Sequence, residues 1–95
     1  MYRSKKLLEA ANGCPYCLYC GAYNVGGNIV AAHSNQLRDG KGRGIKAHDF
    51  RIAYLCPDCH AAVDEGKLSR EEKVAMWEEA HRNTIYYLFM NGVVK

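Results

Sequence analysis

Cys17–Cys20 and Cys56–Cys59 form two Cys-x-x-Cys pairs, and the second runs straight into His60. Each pair can clamp one edge of a tetrahedral zinc ion, so two pairs complete a closed site of four thiolates. Gly21 follows the first pair and permits the tight backbone turn that points both sulfurs inward. Cys14 leaves an alternative open. Cys14-Pro-Tyr-Cys17 has the same spacing and could displace Cys17 or Cys20 from the metal, although Gly21 favours the Cys17–Cys20 knuckle. A shared ion would fix the intervening segment, His33 included, relative to His60.

His60 and Asp64 are four apart on a predicted short helix and leave it on one face. An imidazole nitrogen beside a carboxylate oxygen suits a divalent cation that keeps open positions for water or phosphate. The competing reading makes His60 a substitute zinc ligand and Asp64 a solvated acid. Four cysteines already saturate a structural zinc, which favours a separate role for His60. His33 stands where a predicted strand ends, followed by Ser34 and Asn35. Imidazole is the side chain best suited to exchange a proton with water near neutral pH, but a histidine there can equally be a satisfied structural residue. His48-Asp49 could orient His33, add to a metal site or close a turn.

Arg38, Lys41, Arg43 and Lys46 are interleaved with Gly40, Gly42 and Gly44. Such a loop can neutralise phosphates and let backbone N–H groups approach them, while each cation taken singly is also an ordinary solvated residue. The elements that carry these residues are short. A helix is predicted over 3–12 with Gly13 as its stop, and strands over 29–32 and 50–55. A two-turn helix is predicted over 59–65, with Asp58 as its cap. A long helix follows over about 69–91. It opens on a Ser69/Glu72 capping box and carries an apolar stripe of Val74, Trp77, His81, Ile85 and Leu88. Its last turns, Ile85 to Met90, are apolar all round, which predicts packing on the domain or in a homodimer. Tyr16, Tyr19 and Tyr23 are expected to pack around the zinc lobe, and Trp77 to lie in the core.

The chain has 95 residues, enough for one domain (1–95) but not for a large apolar core, a size at which staples are common. An apolar share of 48% argues against disorder. The net charge of +3 is compatible with nucleic acid without demanding it. Five cysteines, an odd number, fit a disulfide framework poorly. No signal peptide and no membrane span are expected, and a reducing, cytoplasmic setting follows.

On these residues the chain resembles the HNH endonucleases, the ββα-metal or His-Me finger group, in the version whose Cys-x-x-Cys pairs bracket the catalytic hairpin. It is more closely similar to small prophage-encoded nuclease-like proteins. The shared features are a short N-terminal helix, Ala32-His33, the glycine loop Gly40 to Gly44, Lys46-Ala-His-Asp49, Cys56-Pro-Asp-Cys-His60 and Asp64. The Cys-x-x-Cys-His element is quite specific and the glycine loop is not. The resemblance implies an α+β fold: a small zinc-stapled ββα-metal domain, with its core over about 14–66, an N-terminal helix and a long C-terminal helix. It also implies metal-dependent hydrolysis of DNA phosphodiester bonds, in phage or prophage DNA processing inside a bacterial host. His33 would be the general base. His60 and Asp64 would hold a catalytic divalent cation (Mg2+, Mn2+, Ni2+ or Zn2+), with the structural zinc on Cys17, Cys20, Cys56 and Cys59. The basic loop would hold the DNA backbone, giving salt-sensitive binding with little sequence preference. Two positions depart from the family pattern. Ala32 stands where many members carry an Asp or His ligand, and Arg51 where a central Asn is usual. Either His33 is itself a ligand and the base lies elsewhere, or the cation relies on His60 and Asp64, with Asp49 a further candidate. The same departures suit a non-catalytic zinc-stapled DNA-binding or recombination accessory module.

Overall fold

The chain runs α1 (Lys5–Glu9), β1 (Val30–His33), β2 (Ile52–Leu55), α2 (Pro57–Asp64) and α3 (Arg70–Met90) in a computed structural model that describes residues 1–94. The strands pair antiparallel, with Val30 opposite Leu55 and His33 opposite Ile52. All four residues of β2 are buried. An unbroken Ile-Ala-Tyr-Leu run is what a strand covered on both faces requires. The result is a small α+β fold built of three α-helices and one two-stranded sheet.

Local chemistry explains where each element begins and ends. Ser4 caps α1 by accepting from Leu7 N–H at 3.2 Å. The helix is shorter than the predicted 3–12, because Ala10–Gly13 tighten into a 3-10 turn. β2 starts at Ile52 rather than residue 50, since Arg51 N–H closes a turn onto the His48 carbonyl at 2.9 Å. α2 opens at Pro57, whose missing N–H costs nothing in a first turn. Its cap is Cys56, not Asp58 as expected. Asp58 lies inside the first turn, where its charge still suits the helix dipole.

α3 begins with the expected capping box: Glu72 N–H donates to Ser69 Oγ at 3.1 Å, and Ser69 N–H to Glu72 Oε1 at 3.0 Å. It then lies along the free edge of β2. Tyr54 N–H donates to Thr84 Oγ1 at 3.0 Å, and His81 Nδ1–H to the Ile52 carbonyl at 2.7 Å. Those edge groups would otherwise be open to another strand. The buried stripe is Trp77, Ala80, Thr84 and Leu88. Trp77 and Leu88 were predicted; Val74, His81 and Ile85 flank the stripe half-buried. Packing covers only one side of the final turns, for Tyr86, Phe89 and Met90 remain exposed. Tyr16 and Tyr19 stand beside Cys17 and Leu18 with over two fifths of their surface in water (44% and 42%), and Tyr23 is 81% exposed, so the expected packing of these tyrosines around the cysteine lobe is only partial.

Arg51 ties the segment after β1 to α3. Its Nε donates to Asp39 Oδ1 at 2.8 Å and its Nη2 to Glu78 Oε2 at 2.6 Å, with the guanidinium 4.7 Å from the Trp77 ring centre. Burial pushes both carboxyls up, but the Arg51 hydrogen bonds, with those of Ser34 to Asp39 and Gln36 to Glu78 and the Arg51 charge, outweigh it and hold them below the ordinary range. No helix among the described residues is long and apolar enough to cross a membrane.

Candidate metal centre and imidazole hollows

The Sγ atoms of Cys17, Cys20, Cys56 and Cys59 all lie within 4.8 Å of one another. Zn–S bonds of about 2.3 Å in a tetrahedron place sulfurs roughly 3.8 Å apart, and Cys20 and Cys56 are 3.7 Å apart. Each half of the cluster has its own turn. Gly21, at φ 80°, returns its N–H to the Cys17 carbonyl at 3.0 Å, and His60 N–H bonds the Cys56 carbonyl at 2.9 Å. Leu18 N–H donates to the Tyr54 carbonyl at 3.0 Å, which anchors the first knuckle to β2. Burial raises the Cys56 and Cys59 thiols, and neighbouring sulfurs raise Cys59 further. Burial also pushes Cys17 up, but hydrogen bonds from the backbone of Cys20, Cys56 and Tyr19 outweigh it and lower the thiol to about 7. Four thiols crowded in this way resist ionising together unless a cation compensates them, so the donor set fits zinc. Cys14 stands outside the cluster, buried, with its thiol 3.2 Å from the Tyr16 carbonyl. That settles the alternative pairing in favour of Cys17 and Cys20.

His33 closes β1 with its Nε2 at 2.7 Å from Asp49 Oδ1. The Asp49 carboxylate is buried and also receives Arg3 Nη1 at 3.0 Å and Ser4 N–H at 2.7 Å. Burial alone would raise this carboxyl, yet the bonds from His33, Ser4 and Arg3 outweigh it and hold it below the usual range. An ionised Asp49 accepts from Nε2–H, which leaves Nδ1 as the basic nitrogen of the ring. Asp49 thus bonds His33 and also lies in the turn that the Arg51 N–H closes onto the His48 carbonyl. His33 and Asp49 face a hollow of about 430 Å³ lined also by Arg3, Leu8, Gly44, Ile45 and Lys46.

His60 and Asp64 meet on one face of α2, Nε2 to Oδ2 at 3.0 Å, both partly exposed. Asn35 Nδ2 donates to Asp64 Oδ1 at 3.0 Å, a contact that no sequence spacing announces. Asp64 and Asn35 border a second hollow of about 500 Å³ with Arg70, Lys73 and Trp77. The two hollows share no lining residue. Among the described residues, the four cysteines are the one group of three or more metal-ligating side chains that converge. Ala32 is buried, so the residue before His33 faces the core.

Of the predicted basic residues only Lys46 borders the His33 hollow; Arg38, Arg43 and Lys46 are exposed and Lys41 half-buried. Arg3 is the cation that sequence reading misses. It reaches the hollow because Asp49 N–H bonds the Tyr2 carbonyl at 3.0 Å, and its Nη2 donates to the Lys46 carbonyl at 2.8 Å. Nothing in its local pattern signals a partner more than forty positions away. No protein-family model, no curated protein and no solved structure matches this chain.

Proposed function

We propose that this protein is a zinc-stapled, metal-dependent endonuclease of the HNH type that hydrolyses DNA phosphodiester bonds. The observation that carries the reading is the His33–Asp49 pair at 2.7 Å, set in a hollow with Arg3 and Lys46 on its wall. Asp49 holds the imidazole in one tautomer, so Nδ1 can take a proton from water as the water oxygen bonds phosphorus and the P–O bond to the leaving oxygen breaks. Arg3 and Lys46 supply positive charge for the phosphate oxygens, which carry most of the developing charge. His60 and Asp64 are the residues that would hold a divalent cation, which supplies further charge stabilisation at a phosphate. The β1–β2–α2 order, with the His60–Asp64 pair on the helix after the second strand, is the order expected of a ββα-metal domain and supports this reading. The exposed Tyr86, Phe89 and Met90 suit a second copy of the chain packed on the end of α3.

The test is nicking of supercoiled plasmid with Mg2+, Mn2+ or Ni2+. Cleavage that is lost in His33→Ala supports the proposal; no cleavage beyond that of the variant contradicts it. The lack of a shared wall between the two hollows favours a second reading, a non-catalytic DNA-binding or recombination accessory module. Salt-dependent DNA retention, with no effect of His60→Ala on any residual cleavage, would select it.

A further inference from the structure

Three aromatic rings stand together on the two segments that carry Arg3 and Asp49. Phe50 stacks on His48, with centroids 4.9 Å apart and planes 7° from parallel, and Tyr2 meets Phe50 at 5.5 Å and 54°. Tyr2 is 51% exposed and Phe50 48% exposed, so each residue keeps about half of its surface in water. Hydrogen bonds join the two segments that carry the rings. Tyr2 N–H donates to His48 Nδ1 at 3.0 Å and Asp49 N–H to the Tyr2 carbonyl. A Cβ on Gly40 would come within 3.2 Å of the His48 ring, so that glycine lets the ring seat against the backbone. Tyr2 precedes Arg3 and Phe50 follows Asp49, so the rings are carried by the same two segments that bring Arg3 and Asp49 to the hollow. The acid at this place, Asp49, is buried and paired with the Arg3 guanidinium.

We infer that Tyr2 and Phe50 form a stacking platform for an unpaired nucleotide of a DNA strand whose phosphates lie against Arg3 and Lys46. Every base has a π face, so exposed rings beside cations bind single strands with little regard to sequence. A paired base inside a duplex offers no such face, and an apolar protein partner would gain nothing from the surrounding cations. The inference deepens the nuclease reading, on which its ligand rests, by assigning a substrate with unpaired nucleotides.

Fluorescence anisotropy with labelled oligothymidylate and with a duplex of equal length tests it. The single strand should bind more tightly, and Phe50→Leu and Tyr2→Leu should each weaken it about tenfold, by loss of one stacked base, with duplex binding unchanged. Equal affinity for both forms, together with unaffected leucine variants, would overturn the platform and leave the nuclease reading standing. No binding of either DNA by the unaltered protein would overturn both. An oligonucleotide carrying bromodeoxyuridine gives a check that needs no variant. Photocrosslinks should map to Tyr2 or Phe50, and crosslinks confined to α3 would contradict the inference.

Discussion

Asp49 shows how much a single carboxylate decides. Replacing it with Asn keeps the shape but offers an amide where Nε2 needs an acceptor, which favours the tautomer that protonates Nδ1. Under the proposed chemistry, Asp49→Asn should lower the nicking rate by about 10³-fold or more, as loss of the orienting acid does in serine hydrolases. Zinc content and circular dichroism should stay near those of the unaltered protein. A variant that is zinc-loaded and fully active would show that Asp49 merely closes a turn. His33 was legible because it stands where an apolar strand ends, and Asp49 only in part, since their contact spans sixteen positions. Arg3 and Asn35 were not legible as partners of these sites, because a tertiary hydrogen bond leaves no periodicity behind.

The elements owe their stability to how α3 closes the sheet edge. Thr84 is fully buried, accepts from Tyr54 N–H and donates to the Ala80 carbonyl at 2.8 Å. Thr84→Val preserves the shape but orphans a buried strand N–H, which should cost about 1–3 kcal/mol in urea unfolding. No loss would mean that the edge is satisfied in some other way. His81 adds a pH term. Burial lowers its pKa, the nearby Arg51 adds to the lowering, and the Ile52 carbonyl offsets only part of it. The unfolded chain therefore takes up this proton more readily than the folded one. This contribution is complete above the ordinary histidine value of 6.5 and falls away as pH drops below it. The urea midpoint should decline from about pH 7.5 to about pH 5.5, and His81→Gln should flatten the decline. The capping box made the start of α3 readable, whereas His81 reads as one more member of an apolar stripe. Its ring does stack on Trp77, at 5.0 Å and 6°, but its nitrogen serves the strand edge.

At the scale of the whole molecule, two segments 36 positions apart meet through sulfur. Local spacing reveals each Cys-x-x-Cys knuckle, so this much of the architecture is legible in the sequence; the exclusion of Cys14 is not, since it depends on where the Cys14 side chain is buried. The domain is small, and binding energy of a structural zinc is folding energy, about 10–16 kcal/mol in zinc-finger peptides. Cys59→Ser should therefore abolish the folded circular-dichroism signal, while His60→Ala, on the partly exposed face of α2, should leave it largely intact. Unfolding of His60→Ala would contradict the division between a structural cysteine site and a separate His60–Asp64 pair. X-ray absorption at the zinc edge on reduced protein tests the central claim most directly. Four sulfurs at about 2.3 Å around one zinc per chain are expected; a chain without zinc, or a shell containing nitrogen or oxygen, would contradict the account.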